Sequence, residues 1–509
     1  MDEEQIEEIR NMLNPKKEGN ESSNSGTQEE ASGSQNPPEP SLEAIIEKRF
    51  GSLIENDEGE LQRTNSGRPK KRKWSQRTFS RMNRGSLRGS IFTLINTAMG
   101  LGMLAMPQCV GQIGITASVV FFIATAMIVT WSLDSLNYCS HALGGSQSYA
   151  DAVKRLTGRK FALFFALFLI ESIVISTVAL VVASAEFIGT SLGYIFPSTI
   201  DFFYENGEIG RENEKWASFA LVRFLLCIAT GWLTFFKDLT SLRYLTVIGF
   251  SLMLYLIVVL LVQTPEYYSH NHTQSNYVIN WTFWDNSYTG WTKALLAFLK
   301  FIFAYDCHVP LINVRAELQA LTFRRMKKVT DRSVWIMGLS YIVICVCGIL
   351  TCGSNAPALI FSRKALNPRS DYFMQLGLFL FAWYMMLRVP QRLMISRQIM
   401  IVFKIGPKNK PSKLLFYFMT TLNVAIVTFL AVFLSNIAAL IDLISSFNGC
   451  FVIVTVPGIL LFCAMPWSCC KDPMQKTVFV FNIIVTTLVT LMGVAGTAIT
   501  IAGYFGFVL

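Results

Sequence analysis

Gly100 and Gly102 interrupt the apolar run GSIFTLINTAMGLGMLAMPQ, residues 89–108, and Pro107 follows five residues after the second glycine. Within hydrocarbon every backbone N–H and C=O must find a partner, so irregular backbone survives there only where it is buried in protein or lines a polar cavity. A break at this point exposes the amides of Leu101, Gly102 and Met103 and the carbonyls near Asn96 and Thr97. A positive and a negative helix end then face one depth. An amino acid zwitterion complements both, its carboxylate on the amides and its ammonium on the carbonyls. A second interrupted segment, FAYDCHVP (Phe303 to Pro310), carries Ala304, Asp306 and His308 in an otherwise apolar stretch. Its carbonyls around Ala304 to Asp306 offer the ammonium another seat. Two broken segments in corresponding halves of a chain mark the binding site of a transporter. The competing reading is structural: glycines that let helices pack closely, and an Asp306 that caps a half-helix while His308 bonds a carbonyl.

Other ionisable residues at membrane depth are candidates because an unpaired charge there is costly. Glu171 and Glu186 fall in one span and Arg388 in another. Asp306 and His308 sit in the second break, where either could take up a proton. Glu186 can pair with Arg388 or Lys300. The candidate coupling set is Asp306, His308, Arg388 and Glu186; the candidate substrate set is Asn96, Thr97, Gly100, Leu101, Gly102, Met103, Phe303, Ala304 and Asp306.

The elements that position these residues follow from hydropathy. Of the 509 residues, 52% are hydrophobic and 15% charged, and the apolar ones fall in runs of about 20, enough to cross a bilayer. The runs predict an all-α polytopic membrane protein with about eleven spans, near 88–109, 113–138, 161–195, 216–236, 241–263, 291–314, 333–353, 372–393, 413–434, 437–465 and 477–502. Residues 1–87 read as a disordered tail, and residues 88–509 as one transmembrane domain. No apolar segment near Met1 resembles a cleaved signal peptide, so the first span serves as signal anchor. The tail ends in basic residues from Arg68 to Arg88, which suit a cytosolic juxtamembrane stretch touching anionic lipid better than a nucleic-acid patch.

With the N-terminus cytosolic, the inner loops are basic (Lys154, Arg155, Arg324, Arg325, Lys327, Lys328) and the outer loop after Pro197 is acidic (Asp201, Glu205, Glu214). The outer loop with Arg363, Lys364 and Arg369 is the exception. Asn271 and Asn280 begin glycosylation sequons in a loop that charge alone assigns to the outside. The eleven cysteines lie mostly within spans, so no disulfide framework is expected; Cys469 and Cys470, beside a span on the cytosolic side, are candidates for palmitoylation. No spacing resembles a metal or haem site, and no cofactor is expected. Trp281, Trp284 and Trp291 suit an interfacial belt.

NTAMGLGMLAMP resembles the first-span signature of the amino acid/auxin permease family, whose sodium-coupled neutral amino acid transporters carry an Asn, a small-x-Gly break and an aliphatic run in this order. FAYDCHVPLINVRAEL resembles their sixth-span pattern, ending in Glu317-Leu318; the basic connector Arg324 to Lys328 and Pro390-Gln-Arg392 also fit. The likeness runs from about Ser86 to the C-terminus. It implies an inverted repeat of five plus five helices with an eleventh added, and substrate held between spans 1 and 6. The sodium-coupled relatives are expected to hold the ion with span-1 carbonyls, an Asn and a span-8 hydroxyl. Here residues 373–392 contain no Ser or Thr, and Arg388 stands in that span. It occupies the place of the cation or snorkels to the interface.

The function these residues predict is secondary active transport of amino acids, driven by protons or by the substrate gradient. A sodium-coupled symporter and an amino-acid-sensing receptor on the same fold are the alternatives. Catalysis is disfavoured, since His308 is the one histidine placed in a span and lacks a convergent polar set; no filter motif suggests a channel. The expected partners are an amino acid, H+ or Na+, and membrane lipid, with no nucleic acid. The membrane is the plasma membrane or a vacuolar or lysosomal one.

Overall fold

A computed structural model describes residues 86–505 apart from 145–147, 206–208, 210–212, 237–242, 275–276, 282, 284–286, 319–320, 367–370, 406–411, 435 and 467–472. The tail, its basic end, Trp284, Arg369 and the Cys469–Cys470 pair lie outside the described residues.

The described chain is helical and crosses eleven times when each interrupted pair counts as one crossing. Span 1 consists of Leu87–Ala98 and Leu101–Ile113, bent by 55°. Span 2 is Ile115–Ala142, and the short helix Tyr149–Thr157 leads into span 3, Arg159–Ile195. Span 4 begins as Trp216–Gly231, and span 5 is Arg243–Asn271. Span 6 is Tyr288–Phe303 followed by His308–Glu317. Phe323–Cys352, Tyr372–Ile405 and Lys413–Phe433 are spans 7, 8 and 9. Span 10 is Ile437–Cys450 and Val456–Ala464 joined through a π-helical turn at Phe451–Thr455, and span 11 is Pro473–Tyr504.

Several helices outrun the apolar stretches. Span 7 begins at Phe323 rather than 333, because the Thr322 hydroxyl accepts the Arg325 amide at 3.2 Å and starts the helix in the basic connector. Span 8 likewise continues past its last apolar turn to Ile405. Charge ends the membrane-buried part of a helix; a cap or a turn ends the helix. Gly114 provides such a turn between spans 1 and 2, with φ at 87°, a conformation glycine adopts without strain.

Burial separates the centre of the bundle from its lipid-facing rim. The most apolar stretch of span 3 is 72% buried and those of spans 6 and 10 are each 67% buried, against 22% for span 9 and 28% for spans 2 and 11. Val262, Trp335 and Leu414 are large, apolar and exposed, as suits side chains solvated by acyl chains. Arg363, one of the charges that did not fit an outer loop, is 5% exposed. Its guanidinium donates to Gln263 Oε1 at 2.6 Å and lies 3.6 Å from the Tyr267 ring centroid. A cation so committed is a packed part of the fold and not a free loop charge.

Candidate functional site at the crossing of two broken helices

Spans 1 and 6 cross where both are interrupted. A Cβ built on Gly102 falls 2.8 Å from Ala304 Cα and 3.2 Å from its amide nitrogen. Glycine is therefore required there by close backbone approach, and the packing and binding readings of this residue describe one geometry. Gly100 precedes the half-helix Leu101–Ile113 without a side-chain cap, so no capping side chain meets the amides of that first turn. In span 6 the chain leaves the helix at Ala304 and re-enters it at His308.

Beside this crossing lies a small cavity, about 30 Å³, lined by Thr97, Gly100 and Gly102 of span 1, Phe303 and Asp306 of span 6, and Arg388 of span 8. Leu101 of span 1 lines it as well, with Ser176 and Leu180 of span 3, Arg392 of span 8, and Ile441 and Ile444 of span 10. The volume holds about two waters, so an amino acid requires these walls to separate.

Arg388 is 8% exposed, and its Nη2 donates to the Thr97 carbonyl at 3.4 Å. Its Nη1 lies 3.9 Å from the Cβ position of Gly100. The guanidinium thus faces the carbonyl end of the first break. Tyr384, one turn earlier in span 8, donates its hydroxyl to Asn96 Oδ1 at 2.6 Å. Arg392, one turn later, donates to the Ser176 hydroxyl. Asp306 stands just before the half-helix His308–Glu317, which has no side-chain cap, and its Oδ1 is buried in the cavity wall with no hydrogen-bond partner among the described residues. The Arg392 guanidinium is a positive charge acting on it.

The other candidates separate. Ala304 gives its carbonyl to the Tyr341 hydroxyl of span 7 at 2.5 Å, and Met103 is fully buried outside the cavity lining. His308 is fully buried and faces span 2, with Nε2 3.1 Å from the Ser132 hydroxyl. Ser132 in turn donates to the Ile453 carbonyl in the π-helical turn of span 10. This histidine joins three helices instead of facing the cavity. Glu186 has Arg388 or Lys300 as its expected partner. It lies near Tyr204 and Arg223, whereas Lys300, 4% exposed, holds Asp442 of span 10 at 2.6 Å. Lys300 lies one turn before Phe303 and Asp442 directly after Ile441, so the ion pair borders the cavity lining from spans 6 and 10. On the opposite side Arg315 donates to the Asn137 side chain and, at 3.3 Å, to its carbonyl. Glu171 does not line the cavity.

Arg392, Ser176, Ile441 and Ile444 were not among the expected site residues. Arg392 could have been found from its place four residues after Arg388, which puts both on one helix face. The other three carry no local signal. In the expected sequons, the Asn271 amide donates to the Thr351 carbonyl at 2.7 Å, and the Asn280 carbonyl accepts the Ile115 amide at 3.0 Å.

Comparison with known proteins adds the family. Vacuolar amino acid transporter 6 of Saccharomyces cerevisiae is 23% identical over 276 residues, 53% of this chain and 56% of the relative. Solute carrier family 38 member 8 of Homo sapiens is 23% identical over 390 residues, 74% of this chain and 85% of the relative. Sodium-coupled neutral amino acid transporter 7 of Xenopus laevis is 22% identical over 389 residues, 73% and 80% of the two chains. The chain spans little more than half the length of some of the relatives it matches. The family model described as transmembrane amino acid transporter protein matches residues 83–502, and with most of the sequence so covered the chain belongs to the transmembrane amino acid transporter family.

Proposed function

We propose that this protein is a secondary transporter of amino acids that binds its substrate where spans 1 and 6 break, and that Arg388 serves there in place of a bound sodium ion. The observation that carries this reading is the guanidinium held against the Thr97 carbonyl. A monovalent cation about 4 Å from a guanidinium meets a repulsion of about 4 kcal/mol at an effective dielectric of 20, so the two do not share the carbonyl end of the break. Residues 373–392 also contain no Ser or Thr whose hydroxyl could ligate a small cation, and the one tyrosine hydroxyl there, that of Tyr384, is given to Asn96 Oδ1.

The substrate carboxylate takes the uncapped amides of Leu101, Gly102 and Met103, within reach of two guanidiniums. Its ammonium turns to Asp306, whose Oδ1 has no partner. Asp306 is the one carboxylate among the described lining residues, which makes it the proton-carrying group. Access alternates as the Lys300–Asp442 closure and the Arg315–Asn137 closure open in turn. The N-terminus is cytosolic, and the sequon loop faces the exterior or an organelle lumen.

Radiolabelled uptake into proteoliposomes, with sodium and pH gradients imposed separately, tests the proposal. Uptake is expected without sodium and faster with an inward proton gradient, and Asp306→Asn is expected to remove that acceleration. Uptake that requires inward sodium contradicts the role given to Arg388, and saturable binding without uptake contradicts transport itself.

A further inference from the structure

Away from the substrate site, a groove of about 1000 Å³ opens between spans 2 and 7, with the ends of spans 10 and 11 along one edge. This is at the upper end of the range of about 300–1,000 Å³ typical of ligand pockets. Its walls include Met127, Trp335 and Leu339, which are 62%, 80% and 67% exposed, so it faces acyl chains. One end is polar. Lys327 Nζ lies 2.7 Å from Asp134 Oδ2 there, and Asp331 lines the same end. Lys327 is four residues from the start of span 7, about 6 Å along the helix, the depth of the headgroup and glycerol layer.

Among the described residues, Asp134 Oδ1, Trp131 Nε1 and the hydroxyl of Tyr305, a residue that is 0% exposed, are buried along this groove with no hydrogen-bond partner. At headgroup depth such atoms are met by water or by a lipid headgroup, and the wide apolar groove running on from them gives a lipid that supplies the matching groups a place for its chains. The pattern asks for a ligand with a donor-bearing cation beside an acceptor-bearing anion, followed by an apolar body.

We infer that this groove is a specific site for a phospholipid with a primary ammonium headgroup, drawn from the leaflet at the basic end of span 7. The ammonium N–H groups meet Asp134 Oδ1 and Asp331. The phosphate and ester oxygens accept from Trp131 Nε1 and face the cation Lys327. The acyl chains run along the groove toward Gly338 and Tyr305. A choline headgroup has no N–H to give Asp134, and a glycerol headgroup has no positive charge for the two carboxylates. Tyr305 belongs to the break in span 6, and its ring packs against Tyr341, whose hydroxyl holds the Ala304 carbonyl. The lipid therefore abuts the back of the broken helix, independently of what the substrate site binds.

The test is native mass spectrometry of the full-length, delipidated protein after addition of phosphatidylethanolamine, phosphatidylcholine or phosphatidylglycerol with identical chains. One phosphatidylethanolamine per chain is expected to be retained at least about tenfold better than either other lipid, the worth of one charge-assisted hydrogen bond. Ala126→Trp, which fills the groove from span 2, is expected to lose the bound lipid. Asp134→Asn is expected to lose the headgroup preference while leaving the groove open. Equal retention of all three lipids by the wild-type protein, preference for phosphatidylglycerol, or a headgroup preference unchanged in Asp134→Asn overturns the inference.

Discussion

The two interrupted spans solve the same problem in opposite ways. In span 1 the break is nearly bare: Gly100 and Gly102 bring no side chains, and the charge that meets its carbonyls comes from Arg388 of span 8. In span 6 the break is dressed by its own residues. Asp306 turns a carboxylate into the cavity wall, Tyr305 packs outward against span 7, and His308 is tied to span 2. The first break is met by side chains that span 8 supplies, whereas the second is anchored to its neighbours through its own side chains. The proposed substrate exchange at the first and coupling at the second build on that division.

The sharpest way to break the comparison is to deny the two segments their contact. Gly102→Val places a branched side chain against the Ala304 backbone, where even one carbon falls at 2.8 Å; it is expected to abolish uptake while leaving membrane insertion intact. Normal uptake in this variant would remove the crossing from the mechanism. Next in size is the closure above the site. Lys300→Met leaves Asp442 as a buried charge without its partner, a defect of about 3–5 kcal/mol in comparable buried pairs. It is expected to lower thermal stability sharply, and the double variant with Asp442→Asn is expected to recover most of the loss. Failure of the double variant to recover would deny that the pair is a local unit.

A smaller effect sharpens the account of span 1. Tyr384→Phe removes the hydroxyl that bonds Asn96 Oδ1, at a cost of about 1 kcal/mol or about fivefold. The loss should fall on the apparent affinity for substrate, because Asn96 shapes the end of the first half-helix; unchanged kinetics would make Asn96 a packing residue. The smallest effect lies outside both breaks. Asp371, 2% exposed and just ahead of span 8, has its carboxyl pushed above the ordinary value by burial, with the Tyr267 hydroxyl and Arg363 opposing in part. A folded value above the unfolded one, about 3.9, gives stability that is present below the unfolded value and lost as pH rises through the folded one. Asp371→Asn should flatten the pH dependence of the melting temperature across that window, and an unchanged slope would assign it to other groups.

Hydropathy made the eleven crossings legible, because each is a long apolar run and the bilayer fixes the length required. The breaks were legible too, since Gly-x-Gly before a proline, and Asp with Pro, are conspicuous inside such runs. Helix ends were not, because caps such as Thr322 carry a helix into water beyond the apolar stretch. The site was half legible for a related reason. Hydropathy gives depth but not the direction a side chain faces. Glu186 and His308 have the right depth and face elsewhere, while Ser176, Ile441 and Ile444 face the cavity with nothing local to announce it. The π-helical turn of span 10 escaped notice because its carbonyls are met by Tyr149 and Ser132, from distant parts of the chain.

The central claim, that a guanidinium stands where related transporters would place a cation, is tested most directly at Arg388. Uptake by wild-type proteoliposomes should be unchanged when sodium is replaced by an impermeant organic cation, and Arg388→Ala should lose uptake in either medium. Sodium-dependent uptake by the wild-type protein, retained in Arg388→Ala, would contradict the account.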